Sequence, residues 1–272
     1  MIFNLYKTTA AKVAVIASVC LAMLSACGED DQHANLCHTH FKTGNYQVAM
    51  KHCKVAADND HGESQYYLGK MFLESGKAEA GHQWIERSAA EGYKKAVFHQ
   101  TVGALLSKEV DERSAGKAVK KMQTFAEAGD DVAQYWMGNV FLFGYAGQKN
   151  SPNEAAYWYQ LAVDQGNHRA MNNLAWIKAL ARDSDLFDPE GAIELAKKVT
   201  AKYPKSHGYL DTLAAAYAAQ GDFGKAVETQ ERVLALAEPS QCEHCSEHLL
   251  EYYQEHLNLY RQKKSLEEDL VK

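Results

Sequence analysis

The stretch "VAQYWMGNVFLFGYAGQKNSPNEAAYWYQLAVDQGNHRA", residues 132–170, reads as two helices joined by a glycine-rich turn. Small residues (Ala133, Gly138, Ala155, Ala170) alternate with aromatic ones (Tyr135, Trp158, Tyr159), and Gly144, Gly147 and Gly166 punctuate the pattern. Small side chains at helical spacing let two helices approach closely, which suits a helical hairpin.

The same pattern extends in both directions. Leu36-Cys37, Leu68-Gly69, Gln100-Thr101, Met137-Gly138, Leu174-Ala175 and Leu213-Ala214 recur at intervals of 32, 32, 37, 37 and 39 residues. A second series, Ala49, Gly81, Ala118, Ala155, Ala192 and Ala226, marks the partner helices. Repetition at this period signals stacked hairpins, each supplying the wall that its neighbour lacks. The third copy departs from the rule, with Gln100 and Thr101 where a large and a small residue are expected.

Leu213, Ala214, Tyr217, Gly221, Phe223 and Ala226 fall where the tetratricopeptide repeat (TPR) family places its large, small, aromatic, turn-glycine, aromatic and small residues, with Pro239 beyond them. "KTGNYQVA" at 42–49 repeats part of that pattern. Residues 132–170 resemble the related Sel1-like repeat, and Trp84 and Gly92 reproduce the Trp158 to Gly166 interval. The resemblance covers roughly residues 32–240. It implies an all-α, right-handed α-solenoid of about six helical hairpins. Residues 241–272 are expected to add a Cys-x-x-Cys segment and a C-terminal capping helix, on which Leu249, Tyr252, Tyr253, His256, Leu259 and Tyr260 recur at three- and four-residue steps. A partner-binding helix is the other reading of that segment, and the terminal "KKSLEEDLVK" is expected to fray.

At the other end, residues 1–26 carry Lys7, Lys12 and no acidic residue, followed by an apolar run from Val13 to Leu24 too short to span a bilayer. Leu24-Ser25-Ala26-Cys27 resembles the lipobox of bacterial lipoproteins, in which the cysteine takes a diacylglyceryl group. That resemblance implies a signal peptide over 1–26, lipidation at Cys27, a tether over 27–31 and a mature chain of 246 residues with formal charge −8. Gly28 after the lipid cysteine favours sorting to the periplasmic face of the outer membrane. An acidic chain without a polybasic patch excludes nucleic acid and anionic headgroups as partners by charge, so the membrane would be reached through the lipid anchor.

Four cysteines remain beyond Cys27 and Cys20. Cys37 and Cys53 are centred on the Gly44-Asn45 turn, so antiparallel helices should bring them face to face as a disulfide. Cys242 and Cys245, in "CEHCSEH" at 242–248, leave three readings open: a local disulfide, a zinc site with His244 and His248, or a redox pair just before a helix. No βαβ pattern surrounds them to support a thioredoxin reading.

The sequence holds no GxSxG, HExxH or phosphate-cradling GxxxxGK[ST], so no catalytic residue, cofactor or metal site is assigned. His38, His40, His82 and His99 are expected at the surface or in packing, and Glu267-Glu268 as solvated charge. In TPR-type repeats the first helix of each hairpin lines a concave groove. This rule puts Tyr66, Lys70, Tyr135, Asn139, Asn172, Trp176 and Asp211 on a partner-binding surface, with Trp176 equally suited to packing between repeats. Aromatic and amide side chains suit an envelope protein or peptide as partner. The expected function is a lipid-anchored periplasmic scaffold. The alternative is a thiol-redox, zinc-dependent or penicillin-binding enzyme, by resemblance to cysteine-rich Sel1-like proteins.

Overall fold

A computed structural model describes residues 31–238, 242 and 245–267. Among them every regular element is a helix. The chain divides into two compact units, Met1–Gly103 and Ala104–Lys272. The first contains α1 (residues 31–42), α2 (Tyr46–Asp58), α3 (Gly62–Glu74), α4 (Ala78–Ala90) and most of α5 (Lys94–Leu106). The second contains α6 (Glu112–Glu127), α7 (Asp131–Phe143), α8 (Pro152–Asp164), α9 (His168–Leu180), α10 (Pro189–Lys202), α11 (His207–Gln220), α12 (Phe223–Ala237) and α13 (Glu247–Arg261). The signal peptide, Cys27, the 27–30 part of the tether, Pro239, His244 and Glu268 lie outside the described residues.

The turns explain why the helices stop and restart where they do. Gly166 adopts φ 86°, where a side chain would be strained, and the next amide, of Asn167, reaches back to Ala162 O at 3.0 Å. Asn167 Oδ1 then accepts from the amides of Arg169 and Ala170, both at 3.1 Å, and so caps α9. Gly129-Asp130 and Gly221-Asp222 repeat the device, with Asp130 accepting from Ala133 N at 2.8 Å and Asp222 from Lys225 N at 3.1 Å. One glycine and one Asx residue therefore end one helix and start the next.

The small residues sit where the helices cross. A Cβ on Gly69 would meet Ile85 Cγ1 at 2.7 Å and Gly81 O at 2.8 Å, and one on Gly138 would clash with the Tyr159 ring. Ala49, Ala155, Ala175, Ala192, Ala214 and Ala226 are fully buried, so both series mark helix contacts. In the irregular third copy Gln100 is exposed. Thr101 takes the buried small position and turns its hydroxyl onto Val97 O at 2.8 Å. In the second unit, α9 packs against both α7 and α11, so first helices of successive hairpins lie side by side.

The C-terminal segment corrects one expectation. Rather than fraying directly after α13, the chain turns at Lys263 (φ 56°), and Ser265 Oγ donates to Ala218 O at 2.8 Å. Leu266 is buried against the α9–α11 core, because a leucine among polar neighbours still has apolar area to bury.

Candidate functional site

The first unit opens with a covalent clamp. Cys37 on α1 and Cys53 on α2 are both fully buried and bonded at 2.04 Å, with Cα atoms 4.6 Å apart. They pack with Ala49, Tyr67, Leu68 and Met71. Beside this core Glu63 accepts from Tyr67 OH at 3.0 Å and Tyr93 OH at 2.9 Å, and His38 Nδ1 stands at 3.3 Å. Partial burial pulls the Glu63 carboxyl upward, but these donors together hold it below its ordinary range. Burial and the facing carboxylate push the Tyr67 hydroxyl up to about 12. His40 stacks on His52, and His52 lies 2.9 Å from His33, nitrogen to nitrogen. Desolvation and the neighbouring His33 and His40 lower the pKa of His52.

The surface predicted along the first helices is divided by burial. Tyr66, Lys70, Tyr135, Asn172 and Trp176 are half-buried, and Tyr66 packs on Tyr93 with ring centroids 5.5 Å apart. Asn139 and Asp211 depart from that expectation, at 4% and 5% exposure. Asn139 Oδ1 accepts from Tyr159 OH at 2.6 Å and from Asn173 Nδ2 at 3.1 Å, which ties α7, α8 and α9 together. A buried amide needs such partners, and here its own neighbours supply them. Asn172 is different: its Nδ2 donates weakly to Asn173 Oδ1 at 3.5 Å, and its buried Oδ1 has no hydrogen-bond partner.

Asp211 belongs to a polar network at the end of the second unit. Its Oδ1 accepts from Gln230 Nε2 at 2.9 Å and from His256 Nδ1 at 2.9 Å. The Asp211 and His256 side chains are 7% and 6% exposed. Gln230 Nε2 also donates to Tyr253 O at 3.1 Å, so α11, α12 and α13 meet at one point. The His256 ring stacks near Trp176, with centroids 6.3 Å apart, and lies tilted against Tyr252 at 4.2 Å. Trp176 thus packs between repeats, beside the C-terminal helix.

Cys242 and Cys245 are bonded at 1.99 Å, and both are half-buried. Of the three open readings, the local disulfide is the one the fold contains. Among the described residues, the histidine beside it is His207 and not His248. His248 is 95% exposed and pairs with Glu251 at 3.7 Å, whereas His207 Nε2 lies 3.6 Å from Cys245 Sγ. The ligand atoms of His207, Cys242 and Cys245 lie within 4.8 Å of one another. Bonded to each other, the sulfurs offer no thiolate to a metal. His207 Nδ1 faces Tyr253 OH at 2.8 Å. Burial first and the Asp211 charge second raise the Tyr253 hydroxyl pKa, which keeps it protonated. Nothing in the spacing of the sequence links His207 to the cysteines; the fold brings α11 to the start of α13.

No protein-family model matches the sequence, and no curated protein matches it. Among solved structures, the fold is similar to that of a Sel1 repeat protein from Oxalobacter formigenes. The TM-score is 0.55 and the identity 20%, over 87% of this chain and 98% of that one. It is also similar to a protective antigen present in uropathogenic Escherichia coli strains displaying an SLR fold, with TM-score 0.57 and 18% identity over 88% of this chain and 55% of that one. At these identities the similarity shows the fold: an all-α repeat fold of the Sel1 kind, as the spaced small and aromatic residues imply.

Proposed function

We propose that the chain is an envelope scaffold, lipid-anchored through Cys27 at the periplasmic face of the outer membrane, which binds a protein or peptide through its first helices. The observation that carries the binding reading is the side-by-side packing of α7 and α9, which aligns Tyr135 and Asn172 at equivalent positions of successive repeats. Tyr135 offers a half-buried ring and Asn172 a half-buried amide side chain, the residue types that bury area and fix hydrogen bonds at a protein interface. Tyr66 holds the equivalent position on α3 of the first unit. The lipobox-like residues support export, and two disulfides suit an oxidising compartment.

The binding test is capture of crosslinked envelope proteins by the double variant Tyr135→Ala/Asn172→Ala, with Asn139 left in place because its bonds hold three helices. A fall in capture of about tenfold or more is expected, with helicity and melting retained. Unchanged capture by the folded variant contradicts this surface. For the anchor, Cys27→Ser should abolish labelling by a fatty acid, and equal labelling would contradict lipidation.

A further inference from the structure

The Cys242–Cys245 bridge and His207 do not enter the binding surface, yet their arrangement is chemically specific. The bridge spans three residues, so it ties no distant elements together. Cys245 is anchored in an apolar cluster with Leu210, Val233, Ala237 and Tyr253, while Cys242 lies outside that cluster. The Tyr253 hydroxyl has one hydrogen to give. Given to His207 Nδ1, it leaves the ring N–H on Nε2, facing the Cys245 sulfur at 3.6 Å.

We propose that Cys242–Cys245 is a redox-active disulfide that exchanges with a dithiol of a partner protein, with His207 stabilising Cys245 as it leaves. A thiolate of the partner attacks the Cys242 sulfur; a new S–S bond forms to Cys242 and the Cys242–Cys245 bond breaks. The electron pair stays on Cys245 Sγ, which is held by the His207 N–H and takes up a proton. The partner's second thiol, as thiolate, attacks its own sulfur in the mixed disulfide and releases Cys242. The partner dithiol is oxidised to a disulfide, Cys242 and Cys245 are reduced to two thiols, and the partner's two thiol protons end on them. Exchange is faster when the leaving sulfur is the better-stabilised thiolate, which is what an imidazole N–H at this position supplies. The Cys37–Cys53 bridge is the internal control, since neither sulfur has exposed surface for an attacking thiolate.

The test uses the full chain with a synthetic dithiol peptide, quenched by alkylation and read by peptide mass for each cysteine separately. Cys242–Cys245 should open on the order of a hundredfold faster than Cys37–Cys53, with one peptide disulfide formed per bridge opened. His207→Ala should slow the opening about tenfold, the loss of one charge-assisted hydrogen bond. Should that variant fail to fold by circular dichroism, Tyr253→Phe removes only the hydroxyl that sets the ring and should slow the opening in the same direction. Equal rates at the two bridges, or an unchanged rate in either folded variant, overturn the proposal.

Discussion

At the start of the first unit, Cys37 and Cys53 join α1 to α2 through a bond sealed from solvent; at the end of the second, Asp211, Gln230 and His256 join α11, α12 and α13 through hydrogen bonds between buried polar groups. Terminal hairpins of a repeat stack have a neighbour on one side only, so each needs some other constraint. The disulfide acts by restricting the unfolded chain, and its contribution is indifferent to the exact fit of its surroundings. The network depends on every partner being present, because a buried charge that loses one is left uncompensated. The same problem therefore has a robust covalent solution at one end and an exacting polar one at the other.

The largest effect expected from breaking this contrast is at Asp211. Asp211→Ala strips the acceptor from both His256 and Gln230 in a buried site and should cost about 3–5 kcal/mol in urea unfolding. Asp211→Asn, which keeps an oxygen but no charge, should cost less. Cys37→Ala/Cys53→Ala should cost about 3 kcal/mol for a bridge of sequence separation 16. A larger loss from the cysteine pair than from Asp211→Ala would reverse the ranking.

Asn139→Ala asks whether polar ties are general to the second unit. It leaves Tyr159 OH and Asn173 Nδ2 without their shared acceptor and should cost about 2 kcal/mol by the same unfolding assay. The smallest effect belongs to the first unit in acid. Glu63 has a folded pKa depressed below the usual 4.5, so its contribution is present above that value and is lost as pH falls through the folded one. Screened by solvent at this half-exposed site, it should amount to on the order of 0.5 kcal/mol. The double variant Tyr67→Phe/Tyr93→Phe should flatten that acid slope in a pH series of melting curves.

The fold was legible because its causes are local and repeated. Gly69, Thr101, Gly138, Ala175 and Ala214 recur at intervals of 32, 37, 37 and 39 residues, and each is buried. The Cys37–Cys53 bridge was legible for the same reason, since both residues flank one short turn. Asn139 and Asp211 show where such reading ends. Their sequence positions match those of Trp176 and Tyr135, but burial depends on what lies opposite: Tyr159 and Asn173 for one, His256 and Gln230 for the other. His207 carried no signal at all, because its neighbours come from α13 and the segment before it, brought close only by folding. Leu266 was hidden among charges, and only its docking on α11 gives it a role.

Hydrogen exchange read by mass spectrometry, with and without a reductant that opens both bridges, tests the contrast between the two ends most directly. Backbone amides of α1 and α2 should lose protection on reduction, while those of α11, α12 and α13 should keep theirs, held by Asp211, Gln230 and His256. Loss of protection in α11–α13 on reduction, or unchanged protection in α1 and α2, would contradict it.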